Sequence, residues 1–103
     1  MEKQKVKELL KELEEIAGIK NVKLEFRKMK RKLASTSLNK GIIRLNKVVL
    51  TFPEHMIKFI LAHEIAHIKL KTKYHDVEFR KILAQLLEDD VEKLEKELIE
   101  LIL

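Results

Sequence analysis

Apolar residues recur at helical spacing over residues 2–17. Val6, Leu9, Leu10, Leu13 and Ile16 fall on one stripe, with lysine and glutamate between them. This pattern predicts an amphipathic helix that must bury one face, and Gly18 supplies its stop signal. The period then changes from 3.6 to two. Val22, Leu24 and Phe26 alternate with Lys23, Glu25 and Arg27, the signature of a half-buried strand. A second strand is expected over about residues 31–38, and Asn39-Lys40-Gly41 is a turn signal. Ile42, Ile43 and Leu45, with Val48 and Val49 close behind, predict a third strand, so that residues 31–46 read as a hairpin.

Helical spacing returns after Pro53, which suits the first turn of a helix because its missing N–H costs nothing there. Met56, Ile57, Phe59, Ile60, Leu61, Ile65, Ala66 and Ile68 make this the most apolar helix of the chain, and the one expected at the centre. Residues 70–75 read as a short polar connection. Asp76 is an N-cap for a helix whose inner face is Phe79, Ile82, Leu83, Leu86 and Leu87. Glu88-Asp89-Asp90 breaks the pattern, and a last helix over about 90–102 carries Val91, Leu94, Leu98, Ile99, Leu101 and Ile102. No repeat, linker or second domain interrupts this order, so residues 1–103 are expected to form one domain.

Composition narrows the chemistry. The 103 residues contain no cysteine, which excludes disulfides and thiolate metal sites; any metal must be held by histidine and carboxylate. No run of eighteen apolar residues is present, so no membrane span is expected, and the Lys/Glu-rich start does not read as a secretory signal. The expected location is cytoplasmic. Charged residues make up 38% of the chain, mostly lysine and glutamate, a balance that resembles proteins of hot environments. The net charge of +5 raises the question of an anionic partner. Its densest stretch, Arg27-Lys28-Met29-Lys30-Arg31-Lys32, has no interleaved aromatic residues for base stacking and reads as a solvated turn and strand end in preference to a nucleic-acid site, which stays the less favoured alternative.

The chemistry is concentrated in His63-Glu64-Ile65-Ala66-His67. Residues four apart lie on one face of a helix, so His63 and His67 can share one zinc ion through their imidazoles. Glu64 stands beside the metal without being forced to bind it, the position of a general base for water. The metal brings the water toward ionisation and polarises a carbonyl, and Glu64 moves the proton to the leaving amine. These residue types suit amide hydrolysis without a covalent intermediate. The bland alternative, two surface histidines on an ordinary helix, fits poorly with the strongly apolar flanks.

A catalytic zinc takes three protein ligands and keeps one position open. His75 and Glu78, three residues apart near the start of the following helix, are both candidates for the third. Glu78 is otherwise a first-turn carboxylate favoured by the helix dipole, and His75 a loop histidine. The residues alone do not choose between them. Tyr74 and Arg80 are the nearby candidates for an oxyanion donor, and His55, two turns before His63, lies too far along the helix to reach the same ion.

Residues 29–83 resemble the YgjP-like metallopeptidases, relatives of the SprT-like and WLM proteases. The matching stretches are Arg31-Lys32-Leu33-Ala34-Ser35-Thr36-Ser37, Gly41-Ile42-Ile43-Arg44-Leu45-Asn46, Pro53, His63 to His67 and His75-Asp76-Val77-Glu78-Phe79. In those relatives a histidine followed four residues later by phenylalanine is the third ligand, which implies His75 here. The size and outline of the chain also resemble the minigluzincins, compact archaeal proteins described as soluble minimal versions of membrane-bound prenyl-endopeptidase catalytic domains. Gluzincins use a glutamate as third ligand, which implies Glu78. The residue-by-residue match around His75 is the longer and favours that histidine.

These readings imply an α+β fold, a minimal zincin: an N-terminal helix on a small three-stranded antiparallel sheet, then a zinc-binding active-site helix and C-terminal helices. The expected function is a zinc metalloendopeptidase acting on peptide or protein substrates, with Zn2+ as cofactor. The resemblance further implies that an edge strand from residues 31–46 receives extended substrate by strand addition. The apolar C-terminus Leu98–Leu103 and the minigluzincin resemblance point to a homodimer, latent in that form. Two alternatives belong to other classes: a non-catalytic zinc-stabilised binding module, and a DNA-associated protease of the SprT-like kind.

Overall fold

The computed structural model describes residues 1–103. The first helix, α1 (Lys3–Ala17), buries Val6, Leu10, Leu13 and Ala17. Gly18 ends it in the left-handed region at φ 72°, where its N–H and that of Ile19 close onto the carbonyls of Glu15 and Glu14. A residue with a Cβ is strained at that φ, so the glycine has a backbone reason to be there.

β1 (Lys23–Arg27), β2 (Ala34–Ser37) and β3 (Ile42–Asn46) form one sheet in the order β1-β3-β2. β2 and β3 make the expected antiparallel hairpin, with Ala34 opposite Leu45 and Ser37 opposite Ile42. β1 pairs with β3 in parallel instead, Leu24 beside Ile43 and Phe26 beside Leu45, so the sheet is mixed and not wholly antiparallel. The reason lies in which strand takes the middle. Ile43 and Leu45 are fully buried, whereas the side chains of β2 and the apolar ones of β1 are only half-buried. The most apolar strand occupies the centre, and a chain that runs up, down and up with its third strand central must set the first and third parallel.

β2 is shorter than expected because residues 31–33 belong to the approach loop. Asn46 holds that loop. Its buried side chain donates from Nδ2 to the carbonyls of Met29 at 2.9 Å and Lys32 at 2.8 Å, and its Oδ1 accepts from the Val48 N–H at 3.2 Å. The last of these bonds also turns the chain. Val48 and Val49 therefore fall in a 3-10 turn, Lys47–Thr51, and do not extend the third strand.

Pro53 sits just before the first residue of α2 (Glu54–Leu70), and its carbonyl accepts from the N–H groups of Met56 and Ile57. α2 is the central helix. Ile57, Leu61, Ala62, Ile65 and Ala66 have no exposed surface, and the helix packs against α1 and β2. Each such leucine or isoleucine contributes about 1.5–3 kcal/mol of burial. Asp76 caps α3 (Val77–Leu87) by accepting from the Phe79 N–H at 3.1 Å. Asp90 caps α4 (Val91–Ile102) in the same way, through Glu92 and Lys93. α4 buries Val91 and Leu94, half-buries Leu98, and leaves Ile99, Leu101 and Ile102 exposed. An ion pair, Arg80–Glu95 at 3.2 Å, and a side-chain hydrogen bond, His55–Glu97 at 2.6 Å, link it to the body. No helix is long and apolar enough to cross a membrane.

Candidate metal centre

His63 and His67 stand one turn apart on α2, as helical geometry requires. Beyond the helix, Lys71 adopts φ 51° and turns the chain back on itself, so the carbonyl of Thr72 meets Nδ1 of His67 at 2.7 Å. A carbonyl can only accept, so Nδ1 of His67 carries the proton. The ring is held in one orientation by this backbone partner, as is usual for metal-ligating histidines, with Nε2 on the side away from it. The same turn delivers His75, whose Nε2 lies 3.1 Å from Nε2 of His67.

The ligand atoms of His63, His67 and His75 all lie within 4.8 Å of one another. Two nitrogens on a tetrahedral zinc at bond lengths of 2.0–2.1 Å stand about 3.3 Å apart. The His67–His75 spacing is close to that value, and three imidazoles without thiolates form a donor set that suits zinc. His67 is buried, His63 half-buried and His75 exposed, so the cluster opens toward solvent on one side.

The ring of Phe79 supports all three histidines. Its centroid lies 5.1 Å from that of His63, 4.6 Å from His67 and 4.9 Å from His75, and Phe79 itself is 2% exposed. Burial, followed by the charges of His67 and His75, lowers the pKa of His63 from 6.5 to about 4. The imidazole is therefore neutral near pH 7, the form that binds a metal.

Glu64 is buried, at 8% exposure, next to this cluster. Thr36 of β2 donates from Oγ1 to its Oε2 at 2.7 Å, while its Oε1 lies 4.0 Å from Nδ1 of His63. One carboxylate oxygen is thus tethered to the sheet, and the other faces the histidines.

Glu78 lies outside the cluster. It occupies the first turn of α3 with a side chain 70% exposed, 3.8 Å from Nζ of Lys81. Tyr74 is 67% exposed. Arg80 borders a recess that His63 and His75 also line, but its guanidinium is engaged by Glu95. His55 pairs with Glu97, away from the cluster.

Two contributors, Thr36 and Thr72, had no signal in the periodicity or the motif spacing, and a third, Phe79, had only one. Thr36 meets Glu64 across 28 positions of sequence. Thr72 acts through its backbone carbonyl, which any residue could supply. Phe79 reads as a core position, and only its spacing of four from His75 links it to the site.

The family model described as YgjP-like, metallopeptidase domain, matches residues 2–100. A protein of Aquifex aeolicus, aq_aa15, is 40% identical over 91 residues, covering 86% of this chain and 82% of that protein. The crystal structure of the metallopeptidase zymogen of Pyrococcus abyssi abylysin superposes with a TM-score of 0.86 at 30% identity, covering 92% of both chains. That of the Methanocaldococcus jannaschii jannalysin zymogen gives the same TM-score at 28% identity, covering 95% of this chain and 97% of that one.

Proposed function

Since the chain belongs to the YgjP-like metallopeptidase family, we propose that it is a zinc-dependent endopeptidase in which His63, His67 and His75 hold the metal and Glu64 is the general base. The observation that carries this reading is the convergence of three histidine donors within 4.8 Å beside a buried, tethered carboxylate. His75 takes the third position in preference to Glu78, because it stands beside His67 while Glu78 is exposed and paired with Lys81. Glu64 also separates catalysis from a purely structural role, since a structural site has no use for a carboxylate buried beside three histidines.

His63, His67 and His75 would hold the zinc ion, which would supply Lewis acidity to polarise a carbonyl and to acidify a water molecule. The chain's own residues do the rest. Thr36 anchors Oε2 of Glu64, leaving Oε1 free to take a proton from the water and pass it to the leaving amine. Thr72 keeps the proton of His67 on Nδ1, away from the metal side. β2 is an edge strand that packs against α2, so an extended peptide added to it would run past Glu64. The isolated protein is a homodimer with low activity. The exposed Ile99, Leu101 and Ile102 of α4 support the pairing, and the zymogen state of both similar crystal structures supports the latency.

Zinc content and peptide cleavage, measured together on the wild type and on Glu64→Ala, test the mechanism. Retained zinc with cleavage reduced about 100-fold or more is the expected result; undiminished cleavage would sink the assignment. His75→Ala is expected to lose zinc and Glu78→Ala to keep it. Sedimentation at micromolar concentration showing only monomer would remove the dimer.

A further inference from the structure

Charge is distributed unevenly along this chain. From Phe26 to Pro53 it carries eight lysines and arginines and no acidic residue, while the remainder carries fourteen against seventeen aspartates and glutamates. The net charge of +5 therefore comes from one segment, which holds β2, β3 and the loops around them. Two of its cations are already neutralised: Arg27 and Arg44 both meet Oε1 of Glu25, at 2.9 and 3.6 Å. Lys28, Lys30, Arg31 and Lys32 are exposed, and none of them forms an ion pair.

These four cations project from a held backbone, because Asn46 bonds the carbonyls of Met29 and Lys32. Their loop runs directly into the edge strand β2. Lys32 also lines a recess of about 360 Å3 that borders Glu64 and His67. Lys73, from the connection after α2, lines the same recess and is likewise exposed and unpaired. The one carboxylate there, that of Glu64, has an oxygen engaged by Thr36. Free positive charge thus continues from the loop to the metal centre.

We propose that Lys28, Lys30, Arg31, Lys32 and Lys73 bind an acidic stretch of the substrate polypeptide that flanks the scissile bond. This inference rests on the peptidase reading above. Clustered like charges repel one another, and an anionic partner relieves that repulsion while being steered to the cleft. The partner is a polypeptide and not a nucleic acid for two reasons. Residues 27–51 contain no aromatic side chain on which a base could stack. The patch is also continuous with a strand edge, which binds extended peptide by backbone pairing. Its distance from the reacting bond follows from strand geometry. An extended chain advances about 3.3 Å per residue. Thr36 touches Glu64, and Lys32 and Arg31 precede it by four and five positions. The acidic residues therefore fall about four or more positions from the scissile bond.

The test uses zinc-loaded full-length protein and peptides that share one core sequence. A flank of glutamate, glutamine or lysine is placed about four positions from the cut, on either side. At low salt, a glutamate flank on one side is expected to give a KM about tenfold below that of the glutamine flank, with kcat unchanged, and the lysine flank a higher KM. The difference should vanish near 0.5 M salt, on the order of full screening of exposed charges. Lys28→Glu, Lys30→Glu and Arg31→Glu combined should abolish the preference for glutamate over glutamine. Equal KM values for the two flanks at low salt, or a preference that survives the charge reversal, overturn the proposal. If no peptide is cut, the peptidase reading fails separately, and fluorescence anisotropy on the Glu64→Gln protein decides this one. There a Kd about tenfold lower for the glutamate flank supports it, and equal Kd values overturn it. A single-stranded oligonucleotide that binds more tightly than the glutamate-flanked peptide assigns the patch to nucleic acid and overturns it as well.

Discussion

Thr36 Oγ1 donates to Oε2 of Glu64 at 2.7 Å, joining the edge strand β2 to the helix that carries both α2 histidines. With Glu64 as the proposed general base, this contact would make the sheet part of the catalytic apparatus. A carboxylate with one oxygen tied down has one free oxygen and one direction in which to work. Thr36→Val removes the donor while keeping the shape. It is expected to lower kcat about tenfold, the equivalent of one hydrogen bond to a charged group, with KM and zinc content unchanged and with Thr36→Ser restoring most of the rate. A loss confined to KM would mean that Thr36 binds substrate and does not position Glu64.

Phe79 is expected to matter twice, for stability and for the metal. It is 2% exposed and lies against all three histidine rings. Phe79→Ala should destabilise the metal-free protein by about 3–5 kcal/mol in denaturant unfolding. Phe79→Leu keeps most of the volume and should cost roughly 1 kcal/mol, yet weaken zinc binding because the three imidazoles lose their edge-on and tilted contacts with its ring. Equal zinc affinity in wild type and Phe79→Leu would confine the residue to the core.

The depressed pKa of His63 makes the metal-free protein sensitive to acid. Burial first, then His67 and His75, lower that pKa to about 4 in the folded state from 6.5. As pH falls, the unfolded chain takes up the proton first. The stabilisation is therefore complete above pH 6.5 and is lost as pH falls through about 4. Urea midpoints between pH 7.5 and 4 should decline for the wild type and decline less steeply for His63→Gln. Parallel curves would show that His63 is not the group responsible.

Asn46 organises the approach to β2 from a distance. Its three hydrogen bonds reach Met29, Lys32 and Val48 from a buried position. Asn46→Ala leaves two loop carbonyls and one N–H without this partner and should cost about 2–3 kcal/mol. Amide exchange should accelerate over residues 29–37, and cleavage should fall along with it because Thr36 lies in that segment. Faster exchange with unaltered cleavage would detach the loop from the site.

What could be read along the chain was what is local. The stripe of Val6, Leu10 and Leu13, the stop at Gly18, the cap at Asp76, and the pairing of His63 with His67 all depend on residues within about one or two helical turns. Spacing alone expresses such relationships, because a helix repeats every 3.6 residues. Boundaries failed where a distant partner intervened: the bond from Asn46 to Val48 turned two valines out of the third strand, and burial of Ile43 and Leu45 made β3 central and β1 parallel to it.

The surroundings of the histidine pair depended on tertiary structure alone. Whether His75 or Glu78 stands beside His63 and His67 turns on the left-handed Lys71 and on where Asp76 starts α3, and a shift of one residue there rotates the helix by about 100°. The tether from Thr36 to Glu64 and the recess that Leu98 lines beside it join residues that become neighbours only once the sheet, α2 and α4 are packed together. Residues His63 to His67 state by themselves which chemistry is available. The packing of three further elements around them decides which atoms of that chemistry are free to act.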